Sequence, residues 1–101
     1  MAQREVIWTK TADIQFVGIL EYWVDRNKST TYSKKLLRMV AQYTMKIAEN
    51  PFLYPLMEFN NLRVAILGNY SIYYKVHDEE IIIVAFWDNR QDPKNLLKIL
   101  K

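Results

Sequence analysis

The polar residues best placed for chemistry follow the most apolar run in the chain. Residues 81–86 are apolar at every position and lead directly into Trp-Asp-Asn-Arg at 87–90. A strand without alternation is buried on both faces, so this run predicts a central strand that carries the polar segment at its end. A guanidinium binds a phosphate through two parallel hydrogen bonds. Arg90 is therefore a candidate phosphate ligand, and an ion pair with Asp88 or Asp92 that fixes the turn is the alternative.

Other kinds of catalytic machinery are missing from the sequence. No cysteine is present, which excludes a disulfide framework, a thiolate nucleophile and a Cys-ligated zinc. The single histidine, His77, lies in the turn-like segment KVHDEE, where a solvated side chain is a better interpretation than a general base. Consecutive side chains at 77–80 do not easily converge on one metal ion. We find no glycine-rich phosphate loop and no Ser/His/Asp set, and we predict neither metal nor cofactor.

Length and composition describe one small domain over residues 1–101. Half of the residues are apolar and only two are glycine, which argues against disorder. No apolar run approaches the roughly 20 residues of a membrane-spanning helix. The segment MAQREVIWTK lacks the apolar centre of a signal peptide. We therefore predict a cytoplasmic protein without a membrane association.

The net charge of +3 comes from the first half of the chain. Residues 1–50 contain eight Lys/Arg against five Asp/Glu, and the second half contains six of each. Lys34, Lys35 and Arg38 form a basic stripe on a predicted helix. Such a stripe is usually a solvated surface, although it would also steer the chain toward nucleic acid or another acidic partner.

Two helices are predicted after a first strand at Glu5–Trp8. Thr9 or Thr11 caps a helix that ends near residue 27, and a second helix begins at one of residues 29–31. The second helix ends near Asn50, because the residue before a proline avoids the helical region. Together the helices form an antiparallel hairpin. The apolar stripes that predict its buried side comprise Ile14, Val17, Leu20 and Val24 with Phe16, Ile19 and Trp23 on the first helix, and Leu36, Leu37, Val40, Thr44 and Ile47 on the second.

Three strands follow, at residues 62–67, 70–77 and 80–87, joined by Gly68-Asn69 and by the HDEE turn. They predict an antiparallel meander and an α+β fold, in which an antiparallel sheet of about four strands carries the N-terminal helical hairpin on one face. The tail KNLLKIL is predicted to be a short helix or an extended segment. Strand alternation assigns one amphiphilic face to Arg63, Ala65, Ser71, Tyr73, Lys75 and His77.

Three segments in this order resemble the RelE/ParE superfamily of bacterial type II toxin–antitoxin toxins. They are IWTKTADIQF, LRVAILGNYSIYYKV and IIIVAFWDNRQDP. The second is similar to the family's arginine strand, glycine turn and tyrosine-rich strand, and the third to its last strand with a following Arg and Asp-Pro. The resemblance covers nearly the whole chain. It implies a RelE/ParE-like fold and a cognate antitoxin that wraps the toxin with an extended or helical segment.

The superfamily contains toxins that cleave mRNA on the ribosome and toxins that poison DNA gyrase. Metal-independent RNA cleavage needs a base for the 2′-OH, an acid for the leaving oxygen and cations for the phosphorane. Because RelE-like enzymes use mostly Arg, Lys and Tyr, the resemblance implies Arg90, Arg63, Lys75 and Tyr73 as catalytic residues of a nuclease. The chain departs from that branch at Ser71, where arginine is frequent, and at Leu96, in place of an aromatic residue. The paired lysines before the glycine turn are also missing.

These departures favour a growth-inhibiting toxin of the plasmid-stabilisation type that poisons gyrase and is not an enzyme. A ribosome-dependent mRNA endonuclease is the first alternative, and a non-toxic remnant or peptide-binding module is the second. The residues predicted to bind the target or the antitoxin are Trp87, Asp88, Lys94, Lys34, Lys35 and Arg38.

Overall fold

The computed structural model describes residues 3–100, which form one four-stranded sheet and three helices. In chain order these elements are β1 (Glu5–Trp8), α1 (Lys10–Asn27), α2 (Thr31–Glu49), β2 (Arg63–Leu67), β3 (Tyr70–Val76), β4 (Glu80–Asp88) and α3 (Pro93–Leu100). The sheet order is β1-β4-β3-β2, with β2, β3 and β4 antiparallel and β1 parallel to β4. The predicted α+β fold is confirmed, and the C-terminal tail is helical.

The helical hairpin begins at the predicted cap. Thr9 Oγ1 accepts a hydrogen bond from the Ala12 amide at 3.1 Å and donates one to the Val84 carbonyl at 3.3 Å. The first bond satisfies one of the free amides in the first turn of α1, and the second fixes the helix to β4. The Ser33 hydroxyl donates to the Leu20 carbonyl at 2.7 Å, which ties α2 to α1.

The main core lies between the hairpin and the sheet. Phe16 of α1 packs between Trp8 and Phe86, with ring centroids 5.3 and 4.8 Å away. Removing these rings from water stabilises the packing of the hairpin on the sheet. The other buried members of this core are Ala12, Leu36, Val40, Ile47, Ala65, Leu67, Tyr70, Ile72, Tyr74, Ile81 and Ile83.

Three residues predicted to lie on the buried sides of the helices are exposed instead. Ile14 and Val17 of α1 are 60% and 41% exposed, and Leu37 of α2 is 51% exposed. The apolar stripe of α1 is wider than the contact that the helix makes with the sheet. The apolar pattern of α1 therefore includes a surface that the fold itself does not bury.

Side chains of β2 point to the opposite face from the one predicted. Arg63 pairs with Tyr74 and Ala65 with Ile72, and directly opposed residues project to the same face. Arg63 and Ala65 therefore lie on the hairpin side, away from Tyr73. The two-residue turn at Gly68-Asn69 places odd-numbered residues of β2 opposite even-numbered residues of β3. The prediction was wrong because it grouped odd-numbered residues of both strands on one face without considering this register.

A second core lies on the other face of the sheet, under α3. Leu96 and Leu100 of α3 are buried in this core together with Tyr73 and Trp87. The Asn60 side-chain amide donates to the Leu100 carbonyl at 3.0 Å and holds the end of the helix. The strand end that carries residues 87–90 is thus covered on one side by α3.

β4 is central for only half of its length. Its pairing with β1 ends at Ile83, opposite Trp8, while its pairing with β3 continues to Asp88. A bulge at Val84 separates the two halves, because Tyr73 pairs with Ala85 and Tyr74 with Ile83. Beyond the bulge, β4 has a neighbouring strand on one side only.

Candidate functional site

Arg90 and Asp88 form a rigid ion pair at the end of β4. Arg90 Nε and Nη2 donate to the two Asp88 carboxylate oxygens at 2.9 and 2.8 Å, and the Arg90 amide donates to Asp88 Oδ1 at 2.9 Å. The ion pair weighed as an alternative in the sequence is therefore present. It leaves half of the Arg90 side chain exposed, so the same arginine is held in place and remains accessible.

Three aromatic residues support this ion pair. The guanidinium of Arg90 lies 5.7 Å above the ring of Trp23, at cation–π distance. Trp23 Nε1 donates to the Tyr70 hydroxyl at 2.9 Å, and the Tyr32 hydroxyl lies 3.5 Å from that of Tyr70. We call Arg90, Asp88, Trp23, Tyr70 and Tyr32 the rim cluster; it joins both hairpin helices to the ends of β3 and β4.

The electrostatics of the rim cluster suit binding better than proton transfer. Hydrogen bonds from Arg90 hold the pKa of Asp88 below its usual range, and Asp88 in turn raises the pKa of Arg90. Burial, together with the hydrogen bond between the Tyr70 and Tyr32 hydroxyls, raises the pKa of Tyr70 to about 12. At neutral pH the three groups are an anion, a cation and a neutral hydroxyl. None of the three exchanges a proton readily at that pH.

A cleft of about 620 Å³ opens beside the rim cluster, between α1 and the second half of β4. We call it the α1–β4 cleft. One row of α1 side chains, spaced four residues apart, forms its outer wall, and Arg90 lies at its end. The lining residues are Ile14, Gln15, Gly18, Ile19, Tyr22, Trp23 and Arg26 of α1, and Phe86, Trp87, Asp88, Arg90 and Gln91 of β4 and the turn after it.

The four nuclease candidates do not form one cluster. Arg63 lies on the hairpin side, where its Nη1 donates to the Tyr54 carbonyl at 2.7 Å and its guanidinium stacks on Phe52 at 5.1 Å. Tyr73 is buried in the second core, on the opposite face of the sheet. Lys75 lies on the same strand as Tyr73, and Arg90 is at the far end of β4 in the rim cluster.

The six predicted binding residues fall into three groups. Trp87 is 7% exposed and is a member of the second core, although part of it lines the α1–β4 cleft. Asp88 is the partner of Arg90. Exposed cations on two different helices make up the third group: Lys94 at the start of α3, and Lys34, Lys35 and Arg38 on α2.

Several residues of the site had no functional signal in the sequence. Trp23 was predicted as a core residue of α1 and Tyr70 as the first residue of a strand, yet their polar atoms meet across 47 residues of chain. Gln15 carried no prediction, although its side-chain oxygen accepts a hydrogen bond from the Phe86 amide at 2.9 Å. The sequence contained one indirect signal for the two aromatic residues. Trp and Tyr side chains each carry a polar atom, and such an atom needs a hydrogen-bond partner when the side chain is buried.

The described residues contain neither a cluster of metal ligands nor a helix that could span a membrane. Within residues 3–100, no three His, Asp or Glu side chains come close enough to hold a metal ion. Over the same residues, none of the helices has the length and apolar character needed to cross a bilayer.

Comparisons with known proteins agree with this architecture. A family model described as "ParE toxin of type II toxin-antitoxin system, parDE" matches residues 6–93. A solved structure, "Chromosomal ParDE TA system from P. aeruginosa", is 16% identical and superposes with a TM-score of 0.70. The superposition covers 83% of this chain and 94% of the other. A search of the curated proteins finds no match.

The family match over residues 6–93, together with the shared fold, shows that the chain is a RelE/ParE superfamily toxin. More narrowly, the chain belongs to the ParE toxin family of type II toxin–antitoxin systems. Membership in this family implies an antitoxin as partner.

Proposed function

We propose that this chain is a growth-inhibiting toxin that binds and poisons DNA gyrase in the cytoplasm and is neutralised by its antitoxin. The family match over residues 6–93 supports the toxin and antitoxin parts of this proposal. The choice of gyrase over mRNA rests on the arrangement of the polar residues.

The observation that carries this choice is the dispersal of the nuclease candidates. Cleavage of RNA requires a base and an acid within hydrogen-bond reach of the same phosphodiester. Tyr73 is covered by α3, and Arg63 is hydrogen-bonded to loop carbonyls on the other side of the sheet. Within residues 3–100, the groups that contact Arg90 are the Asp88 carboxylate, whose pKa is lowered, and the ring of Trp23, which carries no titratable group. Such a site favours recognition over catalysis.

The rim cluster and the α2 cations suit a target made of protein and DNA. An immobilised guanidinium recognises a carboxylate or phosphate with little loss of side-chain entropy. Lys34, Lys35 and Arg38 add an exposed basic stripe on α2. Such a stripe accelerates association with DNA held by an enzyme, and its effect weakens as salt rises.

Inducing the chain alone in a bacterial host, with pulse-labelling of DNA and protein synthesis, tests the proposal. We expect DNA synthesis to fall first, with a damage response, and the purified chain to block supercoiling by purified gyrase. Arg90→Ala should weaken this block at least tenfold. Lys98→Ala removes an exposed cation of α3 outside the rim cluster and should leave the block unchanged.

Other results contradict the proposal in distinct ways. An early fall in protein synthesis with mRNA fragments, or cleaved mRNA in a purified translation system, refutes gyrase as target and supports the endonuclease. A folded, soluble chain that changes neither synthesis refutes toxicity altogether.

A further inference from the structure

The second half of β4 presents an open strand edge inside the α1–β4 cleft. The Asn89 amide bonds to the Asn69 carbonyl, so Asn89 is a hydrogen-bonded position of the β3–β4 ladder. Hydrogen-bonded positions alternate along an antiparallel pair. The peptide groups of Phe86 and Asp88 therefore point away from β3, toward the side that β1 occupies only as far as Ile83.

Only part of this edge is satisfied by the chain itself. The Phe86 amide is bonded to the side-chain oxygen of Gln15 at 2.9 Å. Within residues 3–100, the Phe86 carbonyl and the Asp88 amide have no hydrogen-bond partner. Unpaired groups on an edge strand are a template for another strand. The Gln15 side chain can rotate away from the strand, which would leave the Phe86 amide free to bond to another strand.

Gly18 faces this edge from the middle of α1. Glycine within a helix costs stability relative to alanine, so its presence needs a reason. The free chain gives no such reason. A Cβ at Gly18 would have no other atom within 4 Å, and the φ angle of Gly18 is not positive. Gly18 lies in the cleft lining, between Ile14 and Tyr22, which are 60% and 50% exposed. A bound backbone that passes close to α1 would explain both the glycine and the exposed apolar neighbours.

We infer that the α1–β4 cleft receives an extended segment of the antitoxin, which pairs with Phe86–Asp88 as an additional strand and displaces Gln15. The segment crosses Gly18 at close range and places an apolar side chain against Ile14 and Tyr22. An acidic side chain of the segment pairs with Arg26 at the end of the cleft, since Arg26 has no ion-pair partner within residues 3–100. This inference rests on the proposed function for the identity of the partner.

Amide exchange in the complex tests the strand pairing. The probe is the product of the small gene adjacent to that of this chain, co-expressed and purified with it. By residue-resolved hydrogen exchange, we expect the Asp88 amide to exchange at least tenfold more slowly in the complex than in the free chain. The Ile66 amide on the outer edge of β2 is the control and should not change. Protection at Ile66 without protection at Asp88 overturns the inference.

Gly18→Ala tests the close approach separately. In the free chain it should raise the thermal midpoint, because alanine favours the helix and the space above it is open. In the complex it should weaken antitoxin binding at least tenfold. Val17→Ala changes an exposed residue of the same helix outside the cleft and should leave binding within twofold.

The outcomes separate this inference from the proposed function. If the adjacent gene product does not bind the parent chain, both are refuted. If it binds, but Gly18→Ala binds equally well and the Asp88 amide stays unprotected, the strand-pairing inference alone is refuted. A Gly18→Ala chain that is less stable than the parent also refutes it, since the fold itself would then require the glycine.

Discussion

Replacing Tyr70 by Phe removes one hydroxyl from the centre of the rim cluster and little else. The ring of Tyr70 stacks on Phe86, with centroids 5.4 Å apart, and a phenylalanine ring keeps that contact. The lost hydroxyl accepts from Trp23 Nε1 at 2.9 Å and lies 3.5 Å from the Tyr32 hydroxyl. Tyr70→Phe therefore leaves the indole N–H of Trp23 without its acceptor.

The expected cost follows from the position of Trp23. A fully buried donor that loses its partner destabilises a protein by about 1–3 kcal/mol. Trp23 is only partly buried, so water replaces some of the lost bond, and we expect about 1.5 kcal/mol. For a domain of this size that corresponds to a thermal midpoint lower by roughly 6–12 °C.

Urea unfolding of the parent, Tyr70→Phe, Trp23→Phe and the double variant measures this bond directly. The double-mutant cycle should give a coupling free energy of about 1 kcal/mol between the two side chains. Additive single effects, or a Tyr70→Phe chain as stable as the parent, would refute the argument that this bond holds the hairpin to the sheet.

Tyr70→Phe should also change how the free energy of unfolding depends on pH in alkaline solution. Burial raises the pKa of Tyr70 to about 12 in the folded chain, above the value near 10 of an unfolded tyrosine. The unfolded state therefore releases this proton first, and the free energy of unfolding falls between about pH 10 and 12. Tyr70→Phe should reduce that fall in urea titrations at increasing pH; an identical alkaline limb would contradict the raised pKa.

Three further predictions concern the rest of the fold. Leu96→Ala should lower the free energy of unfolding by about 2–3 kcal/mol in urea, because Leu96 is buried under α3, whereas the half-exposed Leu97→Ala should cost less than about 0.5 kcal/mol. Tyr74→Phe removes a buried hydroxyl that donates to the Pro51 carbonyl at 2.7 Å and should cost about 1–2 kcal/mol, measured in the same way. Asp88→Asn should be less stable than the parent at neutral pH, because it removes the ionised carboxylate whose pKa the hydrogen bonds from Arg90 lower. The free energies of unfolding of the two chains should converge as the pH falls below about 4 and the Asp88 carboxylate of the parent becomes protonated. Parallel acid limbs would contradict this.

The elements of the fold were predictable because their signals are local. Thr9 caps α1 as predicted, Gly68-Asn69 forms the first hairpin turn, and Asn50 ends α2. Each depends on a few neighbouring residues with strong conformational preferences. The end of the apolar run also placed Arg90 correctly after the last strand.

The contents of the site were less predictable because they depend on distant pairings. The face of Arg63 is decided by the β2–β3 register, and the burial of Tyr73 is decided by where α3 docks. The hydrogen bond between Trp23 and Tyr70 joins residues on different elements, which periodicity does not relate. Reading each strand separately leaves these relations undetermined.

The parallel pairing of β1 with β4 has a consequence for synthesis on the ribosome. β1 is among the first segments to be translated, but its neighbour begins only at Glu80. β1 therefore cannot pair until β4 has been translated, and closing the long loop between the two strands is slow even then. A nascent or prematurely terminated chain that ends before Glu80 therefore lacks the strand that bears Asp88 and leads to Arg90, and we expect it to be harmless. The pairing that completes the sheet, and with it the strand that leads to Arg90, is thus available only in nearly complete chains.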